Sequence, residues 1–527
     1  MRSSFQMRLA AWALCGLLPF AILAGEPDDG GDDVPKPKSA ATAPKKEPKL
    51  GPGSAMDHGP FVCASISDVL VSNTGEWPNS KDPGNFAYKG MALRLGNDVY
   101  ACFDLDLMRY AMVWSGEYLK LPNTMLNDVR GTVSPIPAGP ISIATKMIPG
   151  WSPDGTFKDP RPNPYGPLPK DVSHYSGCYL NGNSVVLKYT VGGTEILEMP
   201  GALGSGANAV FTRTIHIAKS AGPLSILLAN GEGGAQLKGA PEGSAIKNEN
   251  GTLSVTLPAI TKPVTFKIAQ WAGATANAGA TAALEKIDDI TALTKGGSLR
   301  WGAPITTQGV MGKDDGPYTV DTLTLPEQNP WKAWMRCSGF DFFSDGRAAI
   351  STLDGDVWIV SGLEKDLGTL QWKRYATGMY ELLGLKIADD VIYVCGRDQI
   401  TRLHDLNTDG EADFYENFNN DRITSPNYHA FAFGLERDAA GNFYYAVCGH
   451  RAKPTLPQQG CMLRVSKDGS KLDVYAGGLR SPNGLGMGPN DTLTYGDNQG
   501  NFIPASKVTR VKEGGFYGYL PHHQQAT

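Results

Sequence analysis

"GFDFFSDGRAAISTLDGDVWIV" (residues 339–360), "LGLKIADDVIYVCGRDQITRLHD" (383–405) and "FAFGLERDAAGNFYYAVCGH" (431–450) share one design. Each has an apolar run, a turn rich in Asp, Gly or Asn, and a second apolar run, the pattern of consecutive antiparallel strands. "NGLGMGPNDTLTYGDNQG" (483–500) begins a fourth copy. The interval of roughly 45 to 50 residues is that of propeller blades. A blade cannot bury both faces alone, so such units stack around an axis. Residues 318–527 therefore read as an incomplete β-propeller of about four blades, and the stretch up to Thr527 supplies no closing strand, so the segment reads as truncated.

Upstream, short runs of Val, Ile, Tyr and Thr alternate with Gly, Pro and Asn turns, as in "VVLKYTVGGTEILEM" (185–199) and "LSVTLPAITKPVTFKIAQW" (253–271). Residues 58–305 read as a β-sandwich-like domain. Helical spacing of Ala, Leu and Ile predicts one helix over "GATAALEKIDDITAL" (279–293). Composition agrees with a mainly β chain: 63 Gly and 37 Pro against 19% charged residues favour short strands and turns over long helices. Residues 26–57, acidic and then rich in Pro, Lys and Ala, read as a disordered linker that cannot offset its chain entropy by burial. Residues 1–25 carry Arg2 and Arg8, an apolar stretch from Leu9 to Leu23, and small residues at Ala24 and Gly25. That is a signal peptide, so the mature chain is expected to be exported, periplasmic or extracellular, without a stable membrane span after processing.

A net charge of −5 argues against nucleic acid as a partner, because phosphate binding needs clustered surplus Lys and Arg. Apart from Cys15 in the leader, seven cysteines remain, an odd number. Their spacing supports neither zinc nor covalent haem, since C-x-x-C-H is absent. Cys448 and Cys461 could bridge a hairpin or stand as buried thiols.

"DLNTDGEADFYE" (405–416) places Asp405, Asn407, Asp409, Asp413 and Glu416 at the first, third, fifth, ninth and twelfth positions, with Gly410 at the sixth. This is calcium-loop spacing. The flanks read as strands rather than helices, so two readings stand: a plain turn, or a calcium-binding turn that staples a hairpin. Asp104 and Asp106 in "CFDLDLM" share a face if extended, as paired carboxylates, metal ligands or merely a polar strand face. Trp77, Trp114, Tyr118 and Trp151 could stack on sugar rings or fill a core.

"GGLRSPNGLGMGPNDTLTYGDNQGNFIPASKVTRVKEGGFYGY" (477–519) resembles the soluble quinoprotein glucose/sorbosone dehydrogenases, with their R-N-P-x-G-L strand, turn and GG-N/F-YG stretch. "NFAYKGMALRL" (85–95) and "CFDLDLMRYAMVWSGEYLKL" (102–121) resemble a domain of unknown function that exported bacterial proteins place before such a propeller, often with cytochrome c segments. The resemblance implies quinone-dependent oxidation of a sugar or alcohol, with pyrroloquinoline quinone as hydride acceptor and possible carbohydrate partners. It implies His429 as the base and Arg480 and Asn483 at the quinone. An imidazole titrates close to working pH, and a guanidinium can hold an anionic quinone. Two departures stand out. Where the dehydrogenases follow the Tyr-Tyr strand with a carboxylate, Tyr444 and Tyr445 lead to Cys448 and Gly449, and Ser481 replaces the motif asparagine. The sequence thus predicts a degenerate relative of the dehydrogenases, with a non-catalytic glycan- or protein-binding module as the alternative.

Overall fold

A computed structural model of the chain describes residues 55–69, 84–121, 134–273, 275, 277–364, 366–424, 429–450, 456–500 and 505–520. The expected signal peptide, nearly all of the expected linker, and Trp77 lie outside these residues. The fold is mainly β, and four successive sheets form the propeller segment.

Blade 1 comprises Cys337–Phe342, Ala348–Thr352, Val357–Ser361 and Leu370–Ala376. Blade 2 comprises Gly384–Ala388, Val391–Cys395, Ile400–His404 and Phe414–Asn419. Blade 3 follows with Ala432–Arg437, Phe443–Val447, Cys461–Val465 and Leu472–Gly477, and blade 4 with Pro482–Gly488, Thr492–Asp497 and Lys507–Arg510. The first strands of successive blades lie side by side. Glycine permits this: a Cβ on Gly384 would stand 2.4 Å from the backbone of Gly434, which has φ +69°. Only bare backbone allows neighbouring blades to converge so closely.

Alternation along each strand serves both neighbours. Phe443, Tyr445 and Val447 of blade 3 join the core shared with Tyr393 and Phe418 of blade 2, while Tyr444 and Ala446 join Leu485, Leu493 and Tyr495 of blade 4. Each such large side chain contributes roughly 1.5–3 kcal/mol by leaving water. The remaining face of blade 1 is covered by Met56, Trp331, Ala333 and Met335, packed on Trp358 and Trp372.

The N-terminal half holds a five-stranded sheet (Phe61–Ser67, Phe86–Arg94, Val99–Asp104, Arg109–Ser115, Ile141–Ala144) and a four-stranded sheet ending on Trp151–Ser152. A third sheet runs from Gly233–Lys238 to Ser173–Asn181 and continues into blade 2. There Phe414, Tyr415 and Glu416 pair antiparallel with Tyr179, Cys178 and Gly177, and Tyr179 stacks on Phe414 at 4.2 Å. The sandwich-like packing centres on Phe103, Tyr110 and Phe211, and the same core extends into blades 1 and 2 through Tyr375, Tyr380 and Tyr415.

The helix expected over 279–293 is reduced to one turn at Gly279–Ala283 and a 3-10 turn at Ala292–Thr294. Between them Ile290 is drawn into a pocket with Val186 and Leu197, so tertiary burial overrides helical spacing. None of the seven described cysteines forms a disulfide, and Cys448 and Cys461 are both buried. Trp114 and Trp151 are core residues, and Tyr118 stacks against Trp114 beneath Arg94. Asp104 and Asp106 do not act as a pair: Asp104 meets Arg109 at 3.1 Å and Asp106 meets Lys89 at 2.8 Å, all four buried.

Candidate functional site at the propeller mouth

One end of the propeller carries the loops between blades and those joining second to third strands. The N-terminal half sits on part of it: Cys63 N–H donates to the Gly378 carbonyl at 2.7 Å, Tyr380 to Ser65 Oγ at 3.3 Å, and Lys89 Nζ to the Asn420 carbonyl at 2.7 Å. Charged and titratable residues stand just ahead of the first strands of blades 2 and 3. Before blade 2, Glu381 pairs with Arg397 at 2.5 Å, and burial pushes the Glu381 carboxyl up to about 7 despite that cation. Arg397 lies over Phe431 at 4.8 Å. Before blade 3 come Arg422, buried and donating to the Ala430 carbonyl at 3.1 Å, and His429.

His429 and His450 meet edge to face, with ring centroids 4.9 Å apart and planes at 87°. Arg480 Nη2 lies 3.3 Å from His450 Nε2. The Arg480 carbonyl accepts the N–H groups of Gly449 and His450, each at 2.9 Å, and the Cys448 thiol at 3.1 Å. Asp497 receives the N–H groups of Arg480 at 3.1 Å and Ser481 at 2.8 Å. The two loops are thereby locked together, which brings His429 and Arg480 into one cluster through His450. Asn483 is not part of that cluster. It is exposed and its Oδ1 accepts its neighbour Gly484 N–H at 2.8 Å.

Gly449 itself has no room for a side chain. A Cβ at Gly449 would stand 2.6 Å from the Leu479 carbonyl and 2.8 Å from Gly460. No side chain fits there without moving backbone. Sequence reasoning missed His450, Glu381, Arg397 and Arg422. The repeat register held a signal for one of them, because Glu381, like His429, precedes the first strand of its blade by three residues.

The acidic loop lies elsewhere, on the outer side of blade 2. Asp405 accepts the N–H groups of Asp409 at 3.1 Å and Gly410 at 2.7 Å, and Asn407 Oδ1 accepts Asp409 N–H at 3.2 Å. Asp413 accepts Gly297 and Leu406 N–H groups at 2.7 and 2.8 Å. Glu416 is turned onto the strands, where it binds Arg402 at 2.7 Å and His404 at 2.6 Å. Lys373 Nζ reaches the Asp409 carbonyl at 2.5 Å. Among the described residues no three His, Cys, Asp or Glu side chains gather as a metal would need. Asp405, Asn407 and Asp409 share the turn, while Asp413 and Glu416 hold other partners.

A family model described as "Domain of unknown function (DUF6797)" matches residues 101–198. No curated protein matches the chain. Among solved structures, an oxidoreductase described as a glucose dehydrogenase from Thermus thermophilus is 18% identical, with 35% of this chain and 64% of that one covered at a TM-score of 0.29. The PQQ-bound aldose sugar dehydrogenase of Streptomyces coelicolor is 13% identical, with 36% and 63% covered at 0.27. The calcium structure of a Trichoderma reesei carbohydrate-active enzyme of family AA12 is 12% identical, with 42% and 61% covered at 0.30. The chain thus spans under two thirds of the length of each.

Proposed function

We propose that this is an exported propeller protein related to the quinoprotein sugar and alcohol dehydrogenases, whose mouth keeps a histidine and an arginine but is not built for turnover. The observation that carries this reading is that the ring of His450 stands against His429, edge to face at 4.9 Å. A histidine acting as general base needs a partner that stabilises its imidazolium, and a second imidazole held beside the Arg480 guanidinium is not an anion that can do so. When bound, pyrroloquinoline quinone would accept the hydride. The residues present do not fit it: the Arg480 guanidinium is engaged by His450, Ser481 stands at the asparagine position, and Asn483 caps its own turn. No catalytic step is derived through the quinone.

The full chain, supplied with pyrroloquinoline quinone, calcium and a panel of aldoses and alcohols, is expected to reduce a redox dye no faster than the cofactor alone. Robust reduction lost in His429→Ala would overturn the reading and make His429 a catalytic residue. The alternative, a non-catalytic binding module, draws support from Val310, Tyr318 and Val320, which are 53–79% exposed around the small sheet of Gly309–Val310 and Thr322–Leu323. Apolar exposure of this kind suits a protein partner better than a glycan.

A further inference from the structure

We propose that His450 is the positioning residue for His429, and that Arg480 holds His450 as the neutral tautomer with its proton on Nδ1. This goes beyond the reading above and rests on it only in taking His429 as the residue being positioned. An arginine has no acceptor atom, so in the Arg480 Nη2 contact at 3.3 Å the His450 Nε2 must accept. A ring nitrogen that accepts carries no proton, which leaves the hydrogen on Nδ1. A fixed guanidinium beside the ring also disfavours a second positive charge.

The geometry leaves His450 little freedom. Its N–H is tied to the Arg480 carbonyl at 2.9 Å, and the Arg480 N–H is tied to Asp497 at 3.1 Å. The ring held in this way meets His429 edge to face at 4.9 Å, a favoured arrangement of two rings. Where a carboxylate would orient the imidazole by a hydrogen bond, a neutral ring orients it by packing. Among the described residues, charged and titratable groups near the pair include Arg480 and Asp497 from the blade 4 side, Cys448 from the loop of His450, and Arg397 of blade 2, which lies over Phe431 two residues from His429. The charge that Arg480 presents to the pair is positive, and Asp497 is spent on backbone N–H groups.

The chain has eight histidines, few enough for a ¹⁵N-histidine-labelled spectrum of the whole protein to be assigned by single substitutions. Near pH 7.5 His450 should show a protonated Nδ1 and an unprotonated Nε2. Arg480→Gln should raise its midpoint of titration by about one unit, since the positive neighbour is gone. His450→Ala should broaden or split the His429 resonances, while His450→Phe, which keeps a ring, should restore a single set. Unmoved signals from the other histidines report that each variant is folded. If Arg480→Gln does not fold, the tautomer of the unaltered chain decides the matter. An Nε2-protonated or doubly protonated His450, or a His429 spectrum indifferent to His450→Ala, would overturn the proposal. Quinone binding, followed separately by absorbance, can fail without changing any of these outcomes.

Discussion

Glu411 accepts the backbone N–H groups of Trp301 at 2.9 Å and Arg300 at 2.7 Å, while Asp413 takes that of Gly297 at 2.7 Å. Asn407 Nδ2 donates to the Gly297 carbonyl at 2.5 Å. The acidic loop therefore works as a clamp on the segment that leads from the N-terminal half to the propeller. Burial raises the carboxyl pKa of Glu411 and of Asp413 even though backbone donors oppose it, which shows how far each is drawn from water. Removing the carboxylate of Glu411 leaves two N–H groups without their acceptor, so Glu411→Ala should cost roughly 1–3 kcal/mol in a denaturant titration. With its oxygens so engaged and Lys373 against the turn, the loop should give a melting temperature that neither millimolar calcium nor a chelator moves. A calcium-dependent rise, lost in Asp409→Ala, would reinstate the ion.

Between the halves, the turn that joins the second and third strands of blade 2 carries Asp398, buried near Lys89 and Arg422. Burial raises its carboxyl to about 6, above the roughly 3.9 of an unfolded chain. The sign follows from proton counting. Between about pH 4 and 6 the folded state holds the proton that the unfolded state has lost, so this residue lowers stability as pH rises through that window. Below the window its effect is absent, and above it the full penalty applies. Asp398→Asn should therefore gain stability relative to the unaltered chain on going from about pH 4 to 7, by an amount on the order of 1–3 kcal/mol. Parallel stability curves for the two proteins would refute this. The same seam shows why Asp106 could not be read correctly from "CFDLDLM". Its partner Lys89 lies on the adjacent strand Phe86–Arg94, and nothing in the spacing of the two aspartates announces it.

Taken whole, the molecule is a propeller segment whose second blade is an extension of an N-terminal sheet. The strand Phe414–Asn419 would otherwise be an edge with an apolar face, and Tyr415, Tyr380 and Met379 are buried in a core that includes residues of the N-terminal half. A fragment of residues 318–527 should thus associate or precipitate, because it exposes both that edge and that core. Size-exclusion chromatography showing a stable monomer of the fragment would contradict the account.

The strands, the blade repeat and the mainly β fold were legible in the chain because alternation, turn residues and a repeated interval are local properties. So was the absence of a carboxylate from the residues 446–449 that follow Tyr444 and Tyr445. Local spacing could not show that Gly449 is walled in by Leu479 and Gly460, or that Arg480 reaches His450 rather than standing open. Nor could it show that the calcium-like loop spends Glu411 and Asp413 on a segment more than a hundred residues upstream. A motif specifies which donors and acceptors are present. Which of them meet is decided by packing between distant parts of the chain, where each buried polar group must find a partner and takes the one the fold brings to it.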